Sequence, residues 1–199
     1  TFADRVVGIN PDDYMYFMSW MSEPYYTEAE LLVPDNWAWA KCYNIPLDEM
    51  VAVVDNALEN GYTVAWAADV SEKGFSTKLG VAVVPEGYDS LLTYTPKARL
   101  DSVVTLTLDG PKPEKNITEQ MRQDAFDDYS TQDDHGMLII GLAKDQTGKK
   151  YYIVKNSWGP DRGRDGGMVY VSEAYLRYKT ISIVVNRGAV PQELLKKLK

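Results

Sequence analysis

Two apolar runs joined by a polar, glycine-containing loop dominate the C-terminal third of the chain. The first run, Met137-Leu138-Ile139-Ile140-Gly141, follows Asp133-Asp134-His135-Gly136. The second, Tyr151-Tyr152-Ile153-Val154, runs into Lys155-Asn156-Ser157-Trp158-Gly159. Lys144-Asp145-Gln146-Thr147-Gly148-Lys149 lies between them. Two strands joined in this way fold back as an antiparallel hairpin. His135 lies 11 residues before Gln146 and Asn156 lies 10 after it, so the open ends of the hairpin meet. His135 is the single histidine of the protein. The spacing sets its imidazole beside a carboxamide.

Composition narrows what this pair can belong to. At 199 residues the chain suits one large domain or two small ones. A net charge of −8 argues against a nucleic-acid partner, which needs a clustered basic surface. The basic cluster Lys196-Lys197-Lys199 reads as a helix end. A lone cysteine, Cys42, cannot build a disulfide framework, and one histidine with one cysteine makes a His/Cys metal centre implausible. No apolar stretch approaches the ~20 residues of a membrane helix, so no membrane partner is expected. The start, Thr1-Phe2-Ala3-Asp4-Arg5, has neither an initiator methionine nor the basic-then-apolar order of a signal peptide. The expectation is a processed or truncated product.

Elsewhere the periodicity is mixed. Residues 14–33 read as extended, with bulky side chains on both faces: Tyr14, Tyr16, Met18 and Trp20 alternate with Met15, Phe17, Ser19 and Met21. Both faces are expected to be buried. Trp37 and Trp39 share a side if their segment is extended. The clearest helix spans 46–60, where Leu47, Met50, Val51, Val54 and Leu58 form one stripe. Pro46 suits its first turn, Asp48 and Glu49 suit its positive end, and Gly61 closes it. Strands are expected at 62–68 and 80–84, with a polar loop at 69–75. Residues 85–115 are irregular, with a short strand at 103–108. A second helix is expected over 117–129, capped by Asn116 with Glu119 three residues on. A strand at 168–171, a helix at 172–178, a strand at 181–185 and an amphipathic turn at 191–198 complete the chain. No linker interrupts it. The class is α+β with an antiparallel sheet, in a single domain 1–199.

The chemistry centres on the hairpin. An imidazole can take the proton of a neighbouring thiol and hold a thiolate–imidazolium pair. Its other ring nitrogen then needs a neutral acceptor that fixes tautomer and ring angle, a role that suits Asn156. Trp158 would cover the His–Asn contact and keep water from it. Asp133-Asp134 reads first as a solvated turn, with attraction of a substrate's free amine as the lesser alternative. Asn116-Ile117-Thr118 fits a glycosylation sequon but is better explained by helix capping. Gly159-x-x-x-Gly163 with Arg162 and Arg164 lacks what a phosphate loop requires.

These residues carry a resemblance. Asp134-His135-Gly136-Met137, followed 21 positions after the histidine by Asn156-Ser157-Trp158-Gly159 and then by Gly167-Met168-Val169-Tyr170-Val171, resembles the histidine half of a papain-like cysteine peptidase. The stretches 33–37, 43–49, 55–61 and 69–74 are similar to the bleomycin hydrolase / aminopeptidase C branch. The resemblance implies the β-rich half of a papain-like fold, a bent antiparallel sheet or partial barrel with flanking helices. It implies a cysteine-type aminopeptidase in which His135 is general base and acid, Asn156 orients it and Trp158 shields the pair. It further implies a peptide substrate, no cofactor, a cytoplasmic setting and a possible homo-oligomer. In this branch the end of the chain lies in the cleft. The sequence departs from the pattern at one point: no segment matches the glutamine- and glycine-containing stretch that carries the nucleophile. Cys42, in Trp39-Ala40-Lys41-Cys42-Tyr43-Asn44, lacks that context and is expected to be a small buried hydrophobe. The chain is therefore expected to be the C-terminal part of a longer enzyme, inactive alone, whose partner is the absent cysteine-bearing N-terminal part. Either self-association or an apolar cleft wall around His135 and Trp158 should mark the uncovered face. The alternative is a non-catalytic homologue or interaction subunit.

Overall fold

The computed structural model describes residues 2–199. Ten strands form one sheet in the order β2-β3-β1-β10-β4-β7-β8-β9-β6-β5. They are β1 (Tyr14–Met18), β2 (Thr27–Glu30), β3 (Lys41–Asn44), β4 (Val64–Ala68), β5 (Phe75–Ser76), β6 (Val81–Ala82), β7 (His135–Lys144), β8 (Lys150–Lys155), β9 (Met168–Ser172) and β10 (Thr180–Asn186). The helices are α1 (Leu47–Glu59), α2 (Tyr88–Tyr94), α3 (Leu100–Leu108), α4 (Glu119–Asp127), α5 (Glu173–Lys179) and α6 (Gln192–Leu195). The α+β class holds, and the sheet stays open, with β2 and β5 as its edges. It is not wholly antiparallel, because β1–β3 and β6–β9 pair in parallel.

The core lies on one face of the sheet. Phe17, Ile183, Trp66, Ile139, Val154 and Val169 belong to one buried cluster with the inner stripe of α1. That stripe comprises Leu47, Met50, Val51, Val53, Val54 and Ala57, close to the expected face, with Leu58 only partly buried. Fully burying one such aliphatic side chain contributes about 1.5–3 kcal/mol, so α1 is held chiefly by its packing. The acidic first turn, Asp48 and Glu49, complements the positive end of the helix.

Several expectations are corrected. Tyr14 and Tyr16 are exposed while Met15 and Phe17 are buried, but Met18 and Trp20 on the same side as the two tyrosines are also buried, so the second face of this stretch is covered only towards its C-terminal end. Trp37 and Trp39 lie in turns and are exposed at 86 % and 69 %, and Trp39 has φ 53°, so the segment is not extended. The stretch expected as a strand at 103–108 is part of α3. Its β-branched residues suggested a strand, but Leu100, Val104 and Leu108 recur every fourth residue and pack against Tyr88 and Leu92 of α2. The strand expected at 80–84 shrinks to β6.

The second helix is capped by Thr118, whose hydroxyl accepts from Met121 N at 3.2 Å. Asn116 is not its cap. Glu119 closes no capping box; it accepts instead from Leu47 N at 2.9 Å, at the start of α1. The inward face of α4 holds Arg122 and Gln123, and Tyr129 is exposed. The buried Arg122 guanidinium donates to the carbonyls of Ser19, Arg177 and Thr180 and lies 4.0 Å from the Trp20 ring centroid. Burial draws its pKa down to about 9, against the opposing pull of Tyr25 and the Glu119 carboxylate.

Candidate active site

β7 connects the two edges of the site. It pairs on one side with β4, where Ala68 faces His135, and on the other with β8. The β7–β8 ladder contains a bulge: Ile139 pairs with Val154, but the next pair is Gly141 with Ile153. Beyond the last pair, Leu138 with Lys155, the strands deliver His135 and Asn156 to each other.

The contact is direct. His135 Nε2 lies 2.8 Å from Asn156 Oδ1. The same oxygen accepts from Ser157 N at 2.7 Å, and a backbone N–H can only donate, which fixes the amide orientation. The ring must therefore donate through Nε2–H, leaving Nδ1 with its lone pair. Asn156 is buried, and its backbone N donates to Gly167 O at 3.1 Å, so both main chain and side chain are held. Asn156 Nδ2 is buried without a hydrogen-bond partner among the described residues.

Trp158 stacks at an angle against the imidazole, with ring centroids 4.7 Å apart and planes 33° from parallel. It is itself 47 % exposed. Phe75 meets it edge-on at 6.4 Å and lies 6.1 Å from Tyr175, so the indole is backed by aromatic side chains.

The acidic pair before His135 is more than a solvated turn. Asp134 accepts from Ser71 N at 3.0 Å and Val70 N at 3.3 Å, tying the approach of β7 to the loop after β4. Asp133 is pushed up to about 6, first by burial and then by the nearby carboxylates Asp35 and Asp134. Sequence reasoning missed Asp69 and Lys179, both fully buried behind this loop. Asp69 falls in a stretch that carried the resemblance, but nothing in the sequence sets Lys179 apart from a surface lysine.

Cys42 stands elsewhere. It is buried with Met18, Trp20, Leu31 and Ile181, and β1, β10 and β4 separate its strand from β7. Burial pushes its thiol up to about 11, which keeps it protonated and unreactive near neutral pH. The last residue, Lys199, donates to Tyr26 O at 3.0 Å, so it is fastened beside β2. No group of three or more His, Cys, Asp or Glu side chains able to hold a metal ion occurs among the described residues.

The sheet face opposite the core carries a shallow groove of about 500 Å³ whose rim reaches Asn156 and Ser157. Ala65, Ala67, Gly136, Leu138, Lys155 and Val184 line it. Neither His135 nor Trp158 lines it, so the apolar wall expected around those two residues is not formed by this groove.

Comparison with known proteins bears on this arrangement. Residues 113–199 match the Peptidase C1-like family. Procathepsin L of Felis catus is 56 % identical over 36 residues, which cover 17 % of this chain and 11 % of that protein. Mitochondrial cysteine proteinase 1 of Saccharomyces cerevisiae is 40 % identical over 65 residues, 32 % of this chain and 13 % of that protein. The matches support a papain-like peptidase region. The crystal structure of PepW from Lactobacillus rhamnosis HN001 shares the fold, with a TM-score of 0.67 at 21 % identity over 99 % of this chain. This chain covers 40 % of that one. The papain-like region thus spans a minor part of the proteins it is similar to, and its hairpin is where the His–Asn contact is built.

Proposed function

We propose that this chain is the histidine-bearing part of a cysteine-type aminopeptidase of the bleomycin hydrolase / aminopeptidase C branch. The observation that carries the reading is the Nε2–H to Asn156 Oδ1 bond, which leaves His135 Nδ1 free as a base. The nucleophilic cysteine comes from a segment outside residues 1–199, seated at the end of the sheet where His135 and Asn156 meet. The unpartnered Asn156 Nδ2 supports such a cover, since an acceptor on the incoming segment would satisfy that amide.

In the completed enzyme His135 Nδ1 takes the thiol proton. The thiolate attacks the carbonyl carbon of the first peptide bond, and the C–N bond breaks as His135 returns the proton to the leaving amine. A water then loses its proton to His135 and attacks the thioester, releasing the amino acid and the thiolate. Asn156 holds the imidazolium in register throughout, and Trp158 limits water on one side of the ring. The substrate is a peptide with a free N-terminus, no cofactor takes part, and the setting is cytoplasmic. Assembly into a homo-oligomer belongs to the same proposal.

A second reading, a non-catalytic homologue that serves as a binding subunit, is favoured by the burial and remoteness of Cys42. Complementation separates the two. The chain is mixed with a separately folded cysteine-bearing segment and a fluorogenic aminoacyl substrate. The expected result is activity only in the mixture, reduced by about 10²-fold or more in His135→Ala and unchanged in Cys42→Ala. Two folded parts that bind each other without activity would establish the non-catalytic reading.

A further inference from the structure

Behind the loop that leads into His135 lies an ammonium group taken wholly out of water. Lys179, at the end of α5, is fully buried. Its Nζ donates to Ser130 O at 2.7 Å and Thr131 Oγ1 at 2.8 Å, and pairs with Glu72 Oε1 at 2.5 Å. Asp69 Oδ2 lies 3.6 Å away. Asp69 is itself fully buried. Its Oδ1 accepts from Ser71 N and Ser71 Oγ, both at 2.8 Å, and its Oδ2 accepts from Gln132 N at 3.2 Å. The Asp69 main chain is held as well, with N donating to Lys179 O at 3.0 Å and O accepting from Tyr175 Oη at 2.8 Å.

These bonds join three segments. One is 69–72, which continues β4 past the Ala68–His135 pair. Another is 130–134, which runs directly into His135. The last is the end of α5. Burying an ammonium group is costly unless its donors are all met, and here each neighbouring oxygen comes from a segment that borders the histidine. A hydrophobic side chain at 179 would fill the space but would bind none of these oxygens.

We propose that Lys179 is a positioning residue for His135. With Asp69 as its counter-charge, it gathers the 69–72 and 130–134 segments and so fixes the height at which the imidazole meets Asn156. The titratable groups around the pair are the carboxylates of Glu72 and Asp134 on the two segments, the neutral phenols of Tyr175 and Tyr178 on α5, and Asp128 at the end of α4. Asp69 is shifted upward by burial, opposed by its bonds from Ser71 and by Lys179, which marks how closely its ionised form depends on these partners. Tyr175 adds a second route, since it bonds Asp69 O and packs against Phe75, which backs Trp158. The functional meaning rests on the catalytic reading of His135, but the positioning itself does not.

The single histidine makes the test clean. In uniformly ¹⁵N-labelled protein, hydrogen exchange of the His135 Nε2–H reports opening of the His–Asn contact, and the backbone amides of Tyr152–Val154 in β8 serve as an internal control for global opening. The expected result is that Lys179→Met speeds Nε2–H exchange at least about tenfold while the β8 amides keep their rates. Thr131→Val, which removes one ligand of the ammonium, should give a smaller change of the same sense. It decides the matter if Lys179→Met fails to fold. Unchanged Nε2–H exchange in the folded variants, or acceleration equal to that of β8, would overturn the proposal. Local acceleration in a protein that complementation leaves inactive would uphold the positioning role and remove the catalytic reading.

Discussion

The two faces of the sheet are built from the same strands and behave differently. On β7, Ile139 points into the cluster that α1 covers and is fully buried, while Leu138, one residue away, lines the open groove. On β10, Ile183 and Val184 divide in the same way. On β1, Phe17 is fully buried and Tyr16 is 48 % exposed. Period-two alternation alone creates two faces; α1 covers one along the middle of the sheet, while α4 covers the other only near Met18 and Trp20, where Phe126 stacks on the indole. The groove side leaves Leu138 and Val184 half-buried and Tyr16 exposed.

Single substitutions on adjacent residues can break that comparison. Ile139→Ala should cost about 2–5 kcal/mol in urea unfolding, since it leaves a cavity in a fully packed cluster, whereas Leu138→Ala should cost less than about 1 kcal/mol. Equal costs would mean that the groove face is also covered.

A smaller effect lies on the rim where the two faces end at His135. Asp133 has its folded pKa raised to about 6 from its ordinary value of 3.8. Between those pH values the folded state keeps a proton that the unfolded state has released. This contribution is therefore fully present below about 3.8 and lost as pH rises through about 6. Allowing for partial solvent screening, it amounts to about 1–2 kcal/mol. Asp133→Asn should flatten that part of the stability–pH curve, and a variant that reproduces the parent slope would place the effect on another group.

The smallest change in stability comes with the sharpest change in association. Val184→Ser, on the groove, should alter the unfolding midpoint by no more than about 0.5 kcal/mol of stability. It should nevertheless weaken self-association, or binding of a cysteine-bearing segment, in sedimentation measurements. A variant that associates as the parent does would show that the groove is not the covered surface.

The hairpin, α1 and the His–Asn contact could be read from the sequence because each rests on local spacing. The stripe of α1 is a repeat along thirteen residues, and the His–Asn meeting follows from one loop. What could not be read depends on partners far along the chain. Whether Leu100–Leu108 is a helix is decided by Tyr88 and Leu92. The exposure of Tyr14 and Tyr16 follows from which face the helices cover. Lys179 and Glu72 are more than a hundred residues apart, and no periodicity announces a pair of that kind. Arg122, an ordinary solvent-facing residue by type, is drawn inward by carbonyls of residues 19 and 177–180.

The irregularity in β7 has a consequence for the site. On the loop side of the bulge, Leu142 stands across from Tyr152; on the histidine side, Ile139 stands across from Val154, so one residue of β7 has no counterpart. Were the ladder regular from the loop outward, Leu138 rather than Met137 would stand opposite Asn156. Side chains alternate, so His135 would then project from the opposite face to Asn156. The extra residue acts as a half-period phase shift. It puts the only imidazole in step with its amide, so removing one residue around Ile140 would separate them while leaving every atom of both side chains in the protein.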